Sequence, residues 1–366
     1  MKVYIGVDLH KTQFTVYWKP AGLAGVFKRF STHEPGYAAF EHQVAEAVRN
    51  QHEVHLAVET MGNARYFKHR LERAGARVVV VNTLKFKVIT ESVKKTDRRD
   101  ASTLAEFLEK DMLPEARLCS QESEELRRLL KTRKTLVETM NKVKNQVHAL
   151  LLSMGIESNR GELQSKKERQ RVKSVLAAHQ LAGETVEPLF ATIDHLSREV
   201  KRYEQLIEGY VAEDPMVAII RTLPGAGLIT ASTIRAYADD ISRFVSPKQF
   251  AAYAGLVPWV QHSNEVQHYG KTTKRGPKEL RTALVQAVLG MVRMKRITGD
   301  YRIMKRYDRL KQQKGSGRSI IATARMLAEI LWHMLTHHEP FDEARMKDQR
   351  LYKKSLEMQA TAFGVA

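Results

Sequence analysis

Two short β-type runs that each end on a carboxylate constrain this chain more than any other feature. Val3-Tyr4-Ile5-Gly6-Val7-Asp8 is the first, and Val54-His55-Leu56-Ala57-Val58-Glu59 is the second. Between them, residues 14–18 and 26–30 read as two more strands of a meander, and residues 35–50 carry helical spacing at Phe40, Val44, Ala47 and Val48. Helical spacing from 63 to 74 stops at Gly75. Val78-Val79-Val80-Val81 then reads as an unbroken strand from the middle of a covered sheet. The expectation is a mixed sheet flanked by helices, with Asp8 and Glu59 meeting where neighbouring strand ends open into a crevice.

A third acidic feature follows. Lys95-Thr96-Asp97-Arg98-Arg99-Asp100-Ala101 opens a helix that runs to about residue 110, and Asp97 and Asp100, three apart, share one helix face. Four carboxylates in one crevice repel one another unless cations lie between them. Hard oxygen donors suit Mg²⁺ or Mn²⁺, and a pair of such ions clamps a phosphodiester or activates an attacking oxygen. Taken singly, each acid has a plainer role: Asp97 as a helix cap, Asp8 or Glu59 as a turn residue. It is the set of four that argues for a metal site.

The charge balance names a class of partner. The formal net charge is +19 and the pI about 9.8, which points to a polyanion such as DNA or RNA. Hydrophobic residues make up 43%, enough for a real core. Cys119 is the only cysteine, which excludes an intrachain disulfide and a cysteine-rich zinc site. No secretory signal pattern opens the chain, and no uncharged apolar run reaches about 18 residues, so no membrane partner and a cytoplasmic protein are expected.

The middle of the chain carries two apolar seams. Leu129, Leu136, Met140, Val143, Val147, Leu150 and Met154 form one; Leu189, Ile193, Leu196, Val200, Tyr203, Ile207 and Tyr210 form the other. Steps of three and four predict an antiparallel coiled-coil hairpin, or two core helices of a bundle, with a polar loop or short helix over residues 157–173. Asp214-Pro215 then marks a boundary. Four spans result: 1–118, an acidic α/β domain; 119–213, the coiled-coil segment; 214–340, a mostly helical domain; and 341–366, a tail.

The helical domain holds two motifs. Leu223-Pro224-Gly225-Ala226-Gly227-Leu228 resembles a helix-hairpin-helix turn, in which Gly225 and Gly227 let backbone N–H groups approach a phosphate. The second is Gly255-Leu256-Val257-Pro258-Trp259-Val260-Gln261-His262-Ser263, running on to Lys271, Lys274, Arg275 and Gly276. It sets one serine on a polar loop beside cations that can hold a phosphate; a serine hydroxyl becomes a useful nucleophile in such company. Residues 271–318 hold fifteen Lys or Arg against three acids, a one-sidedness that favours phosphate contacts by Lys271, Lys274, Arg275, Lys278 and Arg281. Residues 314–318 read as a flexible break before a closing apolar helix.

Together these residues resemble the DEDD transposases of bacterial insertion sequences, the "IS one-ten" family, relatives of Piv-type DNA invertases and of bridge-RNA-guided recombinases. The resemblance covers nearly the whole chain. It implies an N-terminal RuvC-like (ribonuclease H-like) domain whose acidic tetrad lands on Asp8, Glu59, Asp97 and Asp100. It also implies a C-terminal transposase domain whose signature lands on Gly255, Leu256, Pro258, Ser263, Lys274, Arg275, Gly276, Leu280 and Arg281. Asn264 stands where the family has glycine. The implied chemistry is attack of Ser263 on a DNA phosphodiester, supported by Mg²⁺ at the tetrad. The implied partners are donor and target DNA, a structured non-coding guide RNA, and copies of the chain as a dimer and as a tetramer on DNA. A junction nuclease using water, a non-catalytic nucleic-acid-binding protein and an actin-like ATPase are the other readings. The last lacks Gly-rich phosphate loops in the first domain.

Overall fold

The computed structural model describes residues 1–347 except 84, 87–96, 159–162, 164, 178–179 and 264–265. The chain divides into two compact units, Met1–Cys119 and Ser120–Ala366.

The first unit is built on a five-stranded sheet of order β3-β2-β1-β4-β5, with β1 Lys2–Leu9, β2 Gln13–Pro20, β3 Val26–Ser31, β4 Glu53–Glu59 and β5 Arg77–Val81. The first three strands pair antiparallel, while β1-β4 and β4-β5 pair parallel. Alternation in β1 sends Val3, Ile5 and Val7 to one face, where they pack with Phe40 and Val44 of α1 (Glu34–Arg49) and Phe67 and Leu71 of α2 (Ala64–Arg73). Tyr4, Gly6 and Asp8 go to the other face, under α3 (Asp97–Glu109). The run of four valines lies in β5, at an edge of the sheet and not in its middle. Its continuity has a different cause: Val78 and Val80 face the α1/α2 side, while Val81 packs with Phe86, Leu104 and Leu108. Both faces of an edge strand are covered here, so burial erases the alternation.

The second unit opens with two long helices, α4 (Gln121–Ser153) and α6 (Gln180–Tyr210), with α5 (Lys166–Leu176) between them. The long pair runs antiparallel: the Tyr210 hydroxyl donates to Glu125 (3.0 Å) near the start of α4, and Arg133 donates to Glu204 (2.6 Å) further along. The α6 seam is buried at Ile193, Leu196, Val200 and Ile207. The α4 seam differs from the sequence pattern. Leu126 and Leu130 enter the main core, Val147 and Leu151 enter a separate cluster with Val172 and Leu176 of α5, and no side chain of 131–142 is buried. On the α4 side the buried positions fall at its two ends, 123–130 and 144–151.

The remaining helices form one apolar core. They are α7 (Pro215–Arg221), α8 (Leu228–Ala238), α9 (Pro247–Tyr253), α10 (Lys278–Arg293), α11 (Lys295–Thr298), α12 (Arg302–Lys314), α13 (Ser316–Thr336) and α14 (Glu343–Lys347). Leu280, Leu284, Ala287 and Met291 of α10 share this core with Leu327, Leu331 and Leu335 of α13. The break expected over 314–318 is a single residue. Gly315, at φ 76°, ends α12, and Ser316 already begins α13. Residues 348–366 of the expected tail lie outside the described residues. Among the described residues no helix is long and apolar enough to cross a membrane.

Candidate functional site

The acidic face of the first unit is built by register. Parallel pairing sets Val7 opposite Val58, so the next step sets Asp8 level with Glu59, and both follow the face opposite to their buried valines. Antiparallel pairing sets Thr15 opposite Asp8, on that same face. Above lies α3. A Cβ at Gly6 would stand 2.7 Å from the Ala105 amide nitrogen and closer still to the Ala101 carbonyl oxygen, so the helix backbone rests directly on Gly6. At the far end of α3, Glu109 is ion-paired with Lys19, which pairs with Tyr4. The helix therefore runs antiparallel to β1, with its N-terminus at the Asp8 end. Four helical residues back from Ala101, at about 1.5 Å each, span about the same length as two strand residues on from Gly6, at about 3.3 Å each. That brings the first residue of α3, Asp97, to the level of Asp8, with Asp100 one turn along.

Burial differs among these acids. Asp8 is buried at 8% exposure, while Glu59 and Asp100 are half-buried. His10 Nε2–H donates to Asp8 Oδ2 at 3.0 Å. The Thr15 hydroxyl is buried and has no hydrogen-bond partner among the described residues. Sequence reasoning missed both His10 and Thr15. Thr15 could be found only through the strand register, and His10 only by its i+2 position to Asp8. Asp97 is placed by its backbone alone, and Lys95 and Thr96 lie outside the described residues. Among the described side chains no group of three His, Cys, Asp or Glu closes to metal-holding distance.

In the second unit, Ser263 is not on a loop. It is the last residue of β6 (Pro258–Ser263), paired with Val266 at the start of β7 (Val266–Thr272). Val260 pairs with Tyr269, Gln261 with His268 and His262 with Gln267, so β6 and β7 form an antiparallel pair. Asn264 lies outside the described residues.

The base of this hairpin is a clamp made from the signature residues. Gly255, at φ 68°, faces the Arg275 carbonyl, where a Cβ would stand at 2.5 Å, and Gly276 faces the Tyr253 carbonyl more closely still. The Arg281 guanidinium Nη1 donates to the Ala254 carbonyl (3.1 Å) and the Lys274 carbonyl (3.3 Å). Arg281 is thereby engaged in holding the strand ends. Lys271, Lys274, Arg275 and Lys278 are exposed, and among the described residues none of the four is in an ion pair. They surround the hairpin base as uncompensated positive charge, which suits phosphate.

The Pro224-Gly225-Ala226-Gly227 turn divides its two glycines between tasks. Gly225, at φ 89°, is pressed on α10, and a Cβ there would stand 2.5 Å from the Ala287 carbonyl and 2.9 Å from the Met291 amide. Its lack of a side chain serves helix packing. Gly227 faces open space and is the N-cap of α8, with no side-chain cap.

Comparison with known proteins places these features in context. A DEDD-type transposase family model of the IS110 group matches residues 5–156, and one described as Transposase IS116/IS110/IS902 family matches residues 217–303. The transposase for insertion sequence element IS1328 of Yersinia enterocolitica is 26% identical over 344 residues, 93% of this chain and 98% of that protein. The transposase for insertion sequence element IS1111A of Coxiella burnetii is 23% identical over 291 residues, 78% of this chain and 79% of that protein. The pilin gene-inverting protein of Moraxella bovis is 24% identical over 358 residues, with 93% and 98% covered.

Proposed function

This chain belongs to the IS116/IS110/IS902 family of transposases, enzymes that cut and rejoin DNA, and from that premise we propose that it does so through a covalent link between Ser263 and a DNA strand. The observation that carries the proposal is the hairpin. Ser263 ends β6, a strand whose base is locked by Gly255, Gly276 and Arg281, with four exposed cations around that base. The cations hold the DNA backbone at the hairpin base, about 17 Å (five strand residues) along β6 from Ser263, and the clamp fixes how the hairpin carries the serine toward that DNA. A covalent serine ester conserves the bond energy needed for rejoining.

A DEDD domain suggests a divalent metal. Asp8, Glu59, Asp97 and Asp100 supply a set of hard oxygen donors that fits Mg²⁺ or Mn²⁺, and the Thr15 hydroxyl opposite Asp8, without a partner among the described residues, gives the crevice a further polar group to satisfy. Bound there, the metal supplies positive charge against the charge that develops on phosphate oxygens. The chain's own residues do the rest: α3 resting on Gly6 sets the height of Asp97 and Asp100, and His10 orients Asp8. The RuvC-like fold, the coiled-coil nature of α4 and α6, a guide RNA read by the basic surface, and assembly of copies on DNA belong to the same reading.

The test is a denaturing gel of labelled recombination-site DNA incubated with protein, Mg²⁺ and the element's flanking non-coding RNA. A protease-sensitive adduct, lost in both Ser263→Ala and Asp8→Asn, is expected. Free cleaved ends that survive Ser263→Ala would replace this mechanism with hydrolysis by water.

A further inference from the structure

The chain has three tryptophans, Trp18, Trp259 and Trp332, and two of them are engaged. Lys28 Nζ sits over the Trp18 ring at 5.4 Å. Trp332 meets His333 edge to face and donates its indole N–H to the Phe244 carbonyl (2.9 Å). Trp259 differs: among the described residues no ring, cation or acceptor pairs with its indole, and it is 49% exposed. Its place is built by the strand pair. Pro258 pairs with Thr272 and Val260 with Tyr269, so three residues of β6 answer four of β7, and the extra residue falls opposite Trp259. A bulge of this kind re-aims a side chain. Gly270 and Lys271 fill the longer span. A Cβ at Gly270 would stand 3.0 Å from the indole Cε3 and 3.6 Å from the Trp259 Cβ, so glycine is what lets the ring lie against β7. Lys271 beside it is exposed.

A half-open indole flanked by a cation is complementary to one nucleotide: the base covers the ring and the phosphate meets the ammonium. Inside a duplex both faces of each base are covered by its neighbours, so only a base outside the stack can take such a seat. We propose that Trp259 stacks on a single unpaired base of the DNA strand that Ser263 attacks, with Lys271 on the phosphate of that nucleotide. Trp259 lies four residues before Ser263 on β6, about 13 Å along the strand. That is no more than about four nucleotides of a stacked strand at about 3.4 Å each. The contact positions the strand beside the serine, and it does not read base identity, because every base has a π-face. This role rests on the reading that the Ser263 strand acts on DNA, and it gives Trp259 a task that the clamp and the cations do not perform.

Two DNA duplexes of unrelated sequence test it on the full chain, one fully paired and one carrying a single unpaired 2-aminopurine, for which no base pair has to be broken. Anisotropy reads affinity and 2-aminopurine emission reads stacking. The unaltered chain should prefer the second duplex about tenfold and quench its emission. Trp259→Leu should lose the preference and the quenching while binding the paired duplex as before. Trp259→Phe, which keeps a ring, should keep part of each. Gly270→Val suits a strand and should mimic Trp259→Leu, because it crowds the indole from its place with the tryptophan still present. Preference and quenching that survive Trp259→Leu, or an equal loss of affinity for both duplexes, would overturn the stacking role and leave the Ser263 reading untouched. Tighter binding to an RNA duplex of the same design would overturn the assignment of the seat to DNA. Failure of the unaltered chain to bind either DNA duplex at low salt would instead remove the DNA-acting premise, and the stacking role with it.

Discussion

Gly6→Ala is the smallest change that should dismantle the acidic face. The added methyl would stand 2.7 Å from the Ala105 amide nitrogen and nearer to the Ala101 carbonyl, where ordinary contact begins at 3.4 Å. Both obstacles are helix backbone, so no rotamer change relieves them. Nor can the strand recede, because Val3, Ile5 and Val7 on its other face are fully packed. The helix must withdraw by about 1 Å or more, an overpacking strain that costs about 1–3 kcal/mol. The same shift separates Asp97 and Asp100 from Asp8 and Glu59. A misplacement of about 1 Å can cost on the order of 100-fold in rate, so strand cleavage should fall by about that factor while far-ultraviolet circular dichroism stays folded. Cleavage and thermal unfolding, measured side by side, check this. A Gly6→Ala protein that cleaves at the normal rate and melts at the normal temperature would refute the placement of α3 over β1.

Three further outcomes follow from particular contacts. Thr15→Val keeps the shape of a buried side chain and removes a hydroxyl that has no partner among the described residues; denaturant unfolding should show a gain of about 1 kcal/mol, and a loss would mean the hydroxyl is bonded. Arg281→Ala removes the donor to the Ala254 and Lys274 carbonyls; hydrogen exchange over 258–272 should quicken, and the chain should lose about 1–3 kcal/mol, whereas unchanged exchange would discard the clamp. Burial, aided by the neighbouring His337, holds the His333 imidazole below its usual 6.5. Between that lowered value and 6.5 the unfolded chain binds more protons, so the contribution is present above pH 6.5 and is lost as pH falls below it, at no more than about 1.4 kcal/mol per pH unit. His333→Phe should flatten that acid limb of the unfolding profile; an identical limb would sink the assignment.

Much of the first unit was legible because strands and helices there obey simple periods. The meander, the two acid-terminated strands and the helix opening at Asp97 all follow from alternation and capping. The edge position of β5 was hidden, because a strand covered on both faces reads the same wherever it stands in a sheet. The Ser263 strand pair was hidden by its flanks: Gly255 and Pro258 read as loop residues, although Trp259 and Val260 carried a strand signal. The role of Gly225 was hidden for another reason. A Pro-Gly-x-Gly turn looks alike whether its glycine admits a phosphate or a helix backbone, and only Ala287 and Gly290 on a distant helix decide between them. The α4 seam kept its spacing in sequence, yet no position from 131 to 142 became buried, because periodicity marks which side faces a partner and not how closely the partner approaches.

The central claim is that Ser263 carries the DNA, and mapping the linked residue tests it most directly. Trypsin cutting after Lys248 and Lys271 releases a peptide in which Ser263 is the only serine, with Tyr253 and Tyr269 as the other hydroxyl nucleophiles. Trapped adduct, digested with trypsin and nuclease and sequenced by tandem mass spectrometry, should carry its nucleotide remnant on Ser263. A remnant on Tyr253, on Tyr269 or on any other peptide would contradict the account, as would cleaved DNA with no peptide attached.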